Sequence, residues 1–472
     1  MLSRNFITAA FAAASLPFAV FPAWAQESVV LDQEAPQAEP AQAQPQQQRM
    51  PNVLELRQQA NAAYKAGDAA TYYQAATLLN RMRPYNDEYM AMVVVGAALQ
   101  GDRSAAYEMM LRMQQQGLAQ DFDATDDTES IRGTQAYSYV NDLLKRASEP
   151  AGNAEPLFTL PEDVLLPTSI AWDASRERYL VGDAREGAIL SVDEDGQAET
   201  LVAATAENGL QGIYSLLVDE DANRLWVTSN PTQVFAGFDP EKAGPAELIE
   251  FSLDDMAVVG RYPVPADGKP HRLGDMIRTP AGDIYIADGV LPLIYRLVAG
   301  ESQLQPFVAA GGMISLRGFA LSDDGRHAYL ADYEMGIMGF DLVEKKAFRV
   351  KAPATLNLGG IEGLFFWNDH LVIIQNGISP QRIMRLKLND TGDEIKEVAP
   401  LAVALEMFNK PDFGTMIGDE LVFFANSHWM PNALEHGPVR VARLNVQDAP
   451  SLVAPDIEKF WEDYRKQQQD GS

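Results

Sequence analysis

The sequence repeats one pattern six times between residues 169 and 427. In each copy a short apolar run turns through Asp, Gly or Asn into a second apolar run that ends on Asp, Asn or Ser. The copies start about 43 to 60 residues apart, which is the repeat length of a four-stranded propeller blade rather than of a helical solenoid. We therefore predict a mainly β fold, a six-bladed β-propeller. The copies are Ser169–Asp183, Ser215–Ser229, Asp275–Asp288, Gly318–Asp332, Gly363–Asn376 and Gly414–Asn426.

The first residues are typical of a secretory signal peptide. Arg4 supplies a positive charge, Phe6–Phe21 is an apolar stretch too short for a spanning helix, and Ala23–Ala25 matches a small-residue cleavage site. We predict that residues 1–25 are removed and that the protein is periplasmic or secreted. Residues 26–50 are rich in Ala, Gln, Pro and Glu without a periodic apolar face, which predicts a disordered linker.

Composition narrows the classes of partner and cofactor. The chain has no cysteine, which excludes disulfides, iron–sulfur clusters, thiolate zinc sites and a lipid-modified N-terminal cysteine. The net charge of −29 disfavours nucleic acid and anionic membranes, because both bind cationic surfaces. Either solubility or recruitment of divalent cations or cationic ligands explains this charge. We predict no membrane span beyond the signal peptide.

From Pro51 to Gly117 the sequence changes to a helical spacing that repeats at 34 residues. Ala63, Gly67-Asp68 and Tyr73 recur one period later, as Ala97, Gly101-Asp102 and Tyr107. This pattern resembles the tetratricopeptide repeat, in which Gly ends one helix and Asp caps the next. We call residues 51–147 the helical module.

The helical module is too short to stand alone as a solenoid, so we expect it to pack on the propeller. Its end is predicted to be an acidic loop, Asp121–Glu129, followed by a helix over Gln135–Ala147. Two roles remain open for the module. It is either a docking groove for a peptide or protein partner, or a structural brace or spacer.

The propeller is predicted to span residues 155–454, after a linker over Ser148–Ala154. Two segments compete for the outermost strand of the last blade. Either Glu155–Asp163 closes the ring from the N-terminal side, or Ser451–Ala454 closes it from the C-terminal side. Residues 455–472 are predicted to form a C-terminal helix and tail, with Phe460, Trp461 and Tyr464 on one helical face.

In a propeller, the start of each innermost strand and the end of the second strand meet at one mouth of the central channel. The strand-start positions are Thr168/Ser169, Tyr214/Ser215, Gly274/Asp275, Arg317/Gly318, Glu362/Gly363 and Asp412/Thr415. The strand-end positions are Asp183, Ser229/Asn230, Asp288, Asp332, Asn376 and Asn426–His428. Asp and Asn at strand ends either cap local backbone or line a polar pocket.

The charged strand-start residues are the sharpest candidates for a ligand site. Arg317 either bridges Glu362 or Asp275 structurally, or grips an anionic ligand group in a bidentate fork. With these three residues, Tyr214, Asp412 and Asn376 are predicted to bind a ligand. His271 and His428 are expected on the same rim, where either could act as a general base or stand idle in a loop.

Common catalytic motifs give no further direction. The sequence contains no G-x-S-x-G elbow, no H-E-x-x-H and no phosphate-binding glycine loop. Serine-hydrolase elbows, zincins and nucleotide-binding loops therefore have no support.

Over roughly residues 157–450 the blades resemble the gluconolactonase / senescence-marker-protein (regucalcin) superfamily of six-bladed propellers. The resemblance lies in the sequence pattern of the blades, at Thr168–Trp172, Gly274–Ile277, Arg317–Ala320 with Ser322–Gly325, and Glu362–Leu364. It implies a single divalent metal, usually Ca²⁺ or Zn²⁺, held at the mouth by a Glu, two Asn and an Asp. Matched to those ligands, this chain has Thr168, Gly274, Arg317 and Glu362.

Only Glu362 keeps ligand chemistry, and Arg317 places a permanent cation where the dication would bind. We therefore expect the family metal site to be largely lost. A displaced Ca²⁺ site on Asp275 and Glu362 with Asp412 is the alternative, because Ca²⁺ accepts several oxygens in loose geometry.

Three functions follow from these residues. The first is an exported propeller that binds a small polar or anionic ligand, or a protein partner, at the mouth. The alternative is a lactonase- or esterase-like hydrolase that uses a relocated metal or a rim histidine. The third is a purely structural repeat protein of an envelope complex.

Overall fold

The computed structural model describes residues 52–429 and 437–448. Four predictions lie outside the described residues. They are the signal peptide at 1–25, the linker at 26–50, the alternative closing strand Ser451–Ala454 and the C-terminal helix at 455–472.

The helical module contains five α-helices. Their bounds are α1 Val53–Ala66, α2 Ala69–Met82, α3 Asp87–Leu99, α4 Arg103–Gln115 and α5 Gln135–Arg146. Gly67, with φ 73°, ends α1, and the side chain of Asp68 accepts a hydrogen bond from the Thr71 N–H at the start of α2. Gly101 and Asp102 repeat this arrangement between α3 and α4. The local roles assigned to the Gly-Asp pairs are therefore confirmed.

The stretch predicted as an acidic loop is more ordered than expected. It forms two short 3₁₀-helices, Phe122–Ala124 and Asp126–Ile131. Phe122 and Ile131 are buried in the core of the module, and the side chain of Asn141 accepts a hydrogen bond from the Phe122 N–H at 3.0 Å. The loop prediction was wrong because these apolar residues anchor a segment whose other side chains are mostly acidic.

Six antiparallel sheets form the predicted six-bladed β-propeller. The strands of each blade are given from the channel outwards. Blade one contains β3 (Pro167–Asp173), β4 (Arg178–Asp183), β5 (Ala188–Val192) and β6 (Ala198–Val202), and blade two contains β7 (Gly212–Asp219), β8 (Arg224–Asn230), β9 (Glu247–Ser252) and β10 (Val258–Pro263). Blade three contains β11 (Leu273–Arg278), β12 (Ile284–Asp288), β13 (Leu293–Leu297) and β14 (Gln305–Ala309). A third 3₁₀-helix, Ala174–Arg176, links β3 to β4.

Blade four contains β15 (Leu316–Leu321), β16 (His327–Asp332), β17 (Gly336–Asp341) and β18 (Lys346–Arg349). Blade five contains β19 (Ile361–Trp367), β20 (His370–Gln375), β21 (Arg382–Leu388) and β22 (Ile395–Val403), with β1 (Ala151–Gly152) outermost. Blade six contains β23 (Asp412–Ile417), β24 (Glu420–Phe424) and β25 (Arg440–Asn445), with β2 (Glu155–Thr159) outermost. The six sequence copies correspond to the two inner strands of the six blades.

The ring is closed from the N-terminal side. β2 pairs antiparallel with β25 as the outermost strand of blade six. Inner strands of neighbouring blades contact each other around the circle, including β23 with β3. A cluster of buried apolar side chains fills each of the six blade interfaces. These clusters, rather than a single central core, hold the blades together.

The predicted linker Ser148–Ala154 contains a strand that the sequence did not indicate. β1 pairs with β22 and adds a fifth strand to blade five. Gly152 has φ 81°, and a Cβ there would overlap the carbonyl oxygen of Leu401. Only glycine fits this close approach between two backbones.

The expectation that the helical module packs on the propeller is confirmed. Arg382 of β21 is 4% exposed and donates from Nη1 to the carbonyl of Gln116 at 2.9 Å, which caps the C-terminal end of α4. Its Nε donates to Gln375 Oε1 at 2.8 Å. Asn357 donates to the Gln116 side chain at 3.0 Å. Within the described ranges, no helix is both long and apolar enough to cross a membrane.

Gly318 of β15 tests the packing between blades four and five. A Cβ at this position would overlap the backbone nitrogen of Leu364 and lie 2.7 Å from its Cβ. We expect Gly318→Ala to lower the free energy of unfolding by about 1–3 kcal/mol, because the neighbouring inner strand must move. Urea unfolding followed by tryptophan fluorescence measures this loss.

Gly311→Ala is the matched control. No atom lies within 4 Å of a Cβ built there, so its stability should match that of the wild type. Equal stability of the two variants would contradict this packing.

Candidate functional site

Every inner strand begins with an irregularity in its pairing to the second strand. The register shifts lie between Pro167/Ser169, Ile213/Ser215, Leu273/Met276, Leu316/Phe319, Ile361/Gly363 and Asp412/Gly414. Such bulges bend the strand and redirect side chains. The residues in these bulges include Tyr214, Asp275, Arg317 and Glu362, which are four of the predicted ligand-binding residues.

Arg317, Glu362 and Asp275 come together at the channel mouth. Arg317 Nε lies 3.2 Å from Glu362 Oε1, and the two side chains are 27% and 16% exposed. Both charges act on Asp275, because Glu362 raises the pKa of Asp275 and Arg317 lowers it. Residues from blades three, four and five therefore share one opening.

Asp275 lies near the start of β11 and keeps a small part of its surface exposed. Burial, with the negative charge of Glu362, raises its pKa to about 7. The Phe319 N–H, Arg317 and the Ser215 hydroxyl favour the charged form but only partly offset this rise. Asp275 therefore changes charge near neutral pH.

Asp412 is a second buried carboxyl at the mouth. It is 2% exposed, and burial raises its pKa well above the usual range. The Ser427 hydroxyl opposes the rise and Glu362 adds to it. Among the described residues, Asp412 Oδ1 has no hydrogen-bond partner. A buried carboxyl in this setting favours the protonated state.

The structure adds two cations that the sequence reasoning missed, Arg272 and Lys410. Arg272 lies over the ring of Tyr214, with its Cζ 5.6 Å from the centroid. Burial and the charge of Arg317 lower the pKa of Arg272, so the two arginines are close. Lys410 Nζ donates to the carbonyl of Asn376 at 2.8 Å. Arg272 and Lys410 each lie within two positions of the start of an inner strand. This position was the sign in the sequence that could have identified them as residues of the mouth.

Tyr333 is a further residue that the sequence reasoning missed. Arg317 Cζ lies 5.5 Å from the centre of its ring, and the Tyr333 hydroxyl donates to Asn376 Oδ1 at 3.1 Å. Asn376 also donates from Nδ2 to the carbonyl of Pro411 at 2.9 Å. Asn376 is thus a buried tie between blades five and six, and its role as a ligand residue stays a prediction.

The acidic strand-end residues cap the backbone. Asp183, Asp288 and Asp332 each accept hydrogen bonds from two or more backbone N–H groups of the adjacent loops. Asn230 exchanges two hydrogen bonds with the backbone of Leu273 in the next blade. These hydrogen bonds explain why Asp and Asn stand at these four strand ends without any role in ligand binding.

The two rim histidines are both engaged with protein groups. His271 lies between Asp288, at 2.7 Å from Nδ1, and Asp267, at 2.9 Å from Nε2. Burial lowers the pKa of His271, but these two carboxylates outweigh it and raise the pKa overall. His428 has a backbone carbonyl within 2.9 Å of each ring nitrogen. A catalytic role for either ring stays a prediction, and these contacts do not favour it.

The residues at the mouth do not fit a divalent cation. The Arg317 guanidinium already contacts Glu362, and a dication beside that permanent charge would be repelled. Within residues 52–429 and 437–448, no cluster of three or more His, Asp or Glu side chains has the arrangement of a metal site. The displaced site on Asp275 and Glu362 therefore gains no geometric support.

No family model matches the chain, and no curated protein matches it. Solved structures similar to it include the calcium-binding protein regucalcin from Agrobacterium tumefaciens, at 15% identity over 62% of this chain and 93% of that one, with a TM-score of 0.44. A gluconolactonase from Xanthomonas campestris is 16% identical over 63% and 92%, with a TM-score of 0.43. Virginiamycin B lyase from Staphylococcus aureus is 13% identical over 62% and 99%, with a TM-score of 0.42.

The titration of Asp275 predicts a pH-dependent stability. Its carboxyl has a pKa near 4 in an unfolded chain and about 7 in the folded protein. The folded state therefore binds the extra proton, and stability falls as pH rises between these values. The slope for one proton is at most about 1.4 kcal/mol per pH unit.

We expect Asp275→Asn to flatten the dependence of the unfolding free energy on pH between 5 and 7, measured in urea. Asp412 contributes equally to both proteins, so the difference reports Asp275. Asp390→Asn, in an exposed loop, is the control and should keep the wild-type slope. Parallel curves for Asp275→Asn and wild type would mean that this carboxyl does not titrate in that range.

Proposed function

We propose that the protein is exported and binds a small organic anion at the channel mouth. The ligand carries a carboxylate or phosphate together with hydroxyl groups. The observation that carries this proposal is the convergence of Arg272, Arg317 and Lys410 at one opening. The chain as a whole has a net charge of −29, so a cationic mouth runs against its average composition.

The two arginines are oriented by aromatic rings. Arg272 lies over Tyr214 and Arg317 lies over Tyr333. Stacking uses the flat face of a guanidinium and leaves N–H groups at its edge for a carboxylate or phosphate. Such a fork is a strong and directional anion contact.

The carboxyls of the mouth cancel these cations only in part at neutral pH. Glu362 is paired with Arg317, burial holds the pKa of Asp412 well above its usual range, and the pKa of Asp275 is about 7. Protonated carboxyls also donate hydrogen bonds, which suits a hydroxylated ligand. The anion contact needs no metal, because the arginines supply the charge.

The helical module is a second surface to consider for binding. That a protein partner binds this module stays a prediction. The contacts of the module with blade five favour a brace over a free-standing docking domain.

Arginine substitutions test the anion proposal. The double variant Arg317→Gln/Glu362→Gln removes both charges of the ion pair, so that no buried carboxylate is left unpaired. We expect the wild type to gain thermal stability with small anions such as phosphate, citrate and gluconate, and to lose that gain at high salt. The double variant and Arg272→Gln should bind about 10- to 100-fold more weakly, measured by calorimetry.

Arg146→Gln is the matched control, because this arginine lies on the surface of α5 and is 67% exposed. It should bind like the wild type. Binding that is equally strong in all four proteins, or no stabilisation of the wild type by any of these anions, would contradict the proposal.

Hydrolysis of a lactone or ester is the second candidate function, and Asp275 is the observation that favours it. A carboxyl with a pKa of about 7 can act as a general base at neutral pH. The adjacent Arg317 could stabilise an oxyanion.

If this activity exists, turnover should rise with pH through about 7, as Asp275 ionises. Asp275→Asn should lower it by about 10²- to 10⁴-fold, measured with lactone and aryl-ester substrates. His271→Gln and His428→Gln test the predicted catalytic histidines. A large loss in one of these variants, with full activity of Asp275→Asn, would identify a histidine as the base instead.

A further inference from the structure

Arg272 differs from Arg317 in having no carboxylate partner. Arg317 pairs with Glu362, whereas within residues 52–429 and 437–448 no Asp or Glu forms an ion pair with the Arg272 guanidinium group. In this part of the chain the Arg272 side chain makes one hydrogen bond, from Nη2 to the carbonyl of Gly289 at 3.2 Å. Its other guanidinium N–H groups are therefore available to an anionic ligand.

Two neighbours set the position of this guanidinium group. Tyr214 lies under it, with 5.6 Å between the ring centroid and Arg272 Cζ. Gly289 lies so close that a Cβ built on it would be 2.7 Å from Arg272 Nη2, 3.0 Å from Nε and 3.2 Å from Cζ. Any side chain at position 289 would therefore need space that the guanidinium group occupies.

Gly289 belongs to a turn that blades one, three and four share. In each of these blades, the N–H of the residue after the second strand donates to the carbonyl of the residue just before the inner strand. The Asp that ends the second strand also accepts from the N–H groups two and three residues further on. The three donor–acceptor pairs are Ala184 with Leu166 at 2.9 Å, Gly289 with Arg272 at 2.8 Å, and Tyr333 with Ser315 at 3.0 Å.

This shared turn does not itself require glycine. Blade one has Ala184 and blade four has Tyr333 where blade three has Gly289. The φ of Gly289 also lies outside the left-handed region that favours glycine. What distinguishes blade three is the long side chain of Arg272, which folds back over position 289. The missing Cβ at this position is therefore explained by the arginine and not by the backbone.

We propose that Gly289 is a positioning residue of the anion site, because its lack of a side chain leaves the space in which the Arg272 guanidinium group lies against Tyr214. This inference rests on the proposed anion binding and adds to it a residue without side-chain chemistry. Gly289 acts through Arg272 and does not itself contact the ligand.

Gly289→Ala in the full-length protein tests this role. Nonbonded heavy atoms pack at about 3.5 Å or more, so the guanidinium group must move by roughly 1 Å and lose its present contact with residue 289. Binding groups need to be held within about 0.5 Å, so we expect the affinity for inorganic phosphate, measured by calorimetry, to weaken about 3- to 10-fold. The midpoint of urea unfolding should not fall, because the same turn carries alanine in blade one.

Gly311→Ala is the matched control. Gly311 lies in the connection that leads to the inner strand of blade four, and no atom lies within 4 Å of a Cβ built on it. This variant should bind phosphate like the wild type.

A double-mutant cycle with Arg272→Gln separates positioning of the arginine from a general distortion of the mouth. Glutamine is shorter than arginine and lacks the guanidinium group that a Cβ at position 289 would displace. Adding Gly289→Ala to Arg272→Gln should therefore not weaken phosphate binding further. A thermal-shift titration with phosphate measures the weak affinities of these two proteins.

Each result decides the role of Gly289. Wild-type affinity in Gly289→Ala would overturn it, and so would an equal loss in Gly311→Ala or an equal further loss in the Arg272→Gln background. A lower urea midpoint of Gly289→Ala would show that the turn itself needs glycine, which also contradicts the inference. Failure of the wild type to bind phosphate would instead overturn the proposed function, and the positioning role with it.

Discussion

The pairing of β2 with β25 converts six sheets into a closed ring. Residue pairs such as Glu155 with Arg443 and Thr159 with Arg440 join the start of the propeller to the last blade. Without this pairing β25 would be an open edge, and the apolar cluster between blades six and one would lose Phe158 and Leu160. Closure also has a geometric consequence, because it forces the starts of six inner strands around one opening.

That opening concentrates charge that the chain spreads widely along its sequence. Arg272, Arg317, Glu362 and Lys410 come from four separate segments, yet each influences at least one of the others. Charges in a narrow channel must be paired or used, since little water is available to solvate them. Here burial suppresses the ionisation of Asp275 and Asp412 more readily than that of the arginines. The positive charge that the arginines keep is the physical basis of the proposed anion site.

The fold was largely predictable because its signals are local and repeated. The alternation of apolar runs gave the inner two strands of each blade, and the Gly-Asp pairs gave the helix junctions of the module. The closing strand could not be chosen from sequence, since Glu155–Asp163 and Ser451–Ala454 both suit an edge, and the structure shows β2 in that place. β1 was missed because two residues carry no periodicity, and their pairing with β22 depends on where the module ends.

The candidate site was predictable only in part. Bulge positions such as Arg317 and Glu362 follow from the repeat, whereas Lys410 and Tyr333 lie in loops whose direction depends on contacts distant in sequence. The contacts of His271 were not predictable either, because the sequence around it does not indicate that Asp288 and Asp267 lie on both sides of its ring. The contact of Arg382 with the carbonyl of Gln116 likewise depends on how an entire module docks, which no short motif encodes.

The most direct test is a crystal of the protein soaked in selenate, a tetrahedral anion that anomalous scattering locates without ambiguity. An anion site at the channel mouth should give a selenate peak there, within hydrogen-bonding distance of the guanidinium of Arg272 or Arg317. A mouth without selenate while other surface sites are filled would contradict it. So would a lanthanide ion bound to Glu362 in a parallel soak, since the opening would then select cations.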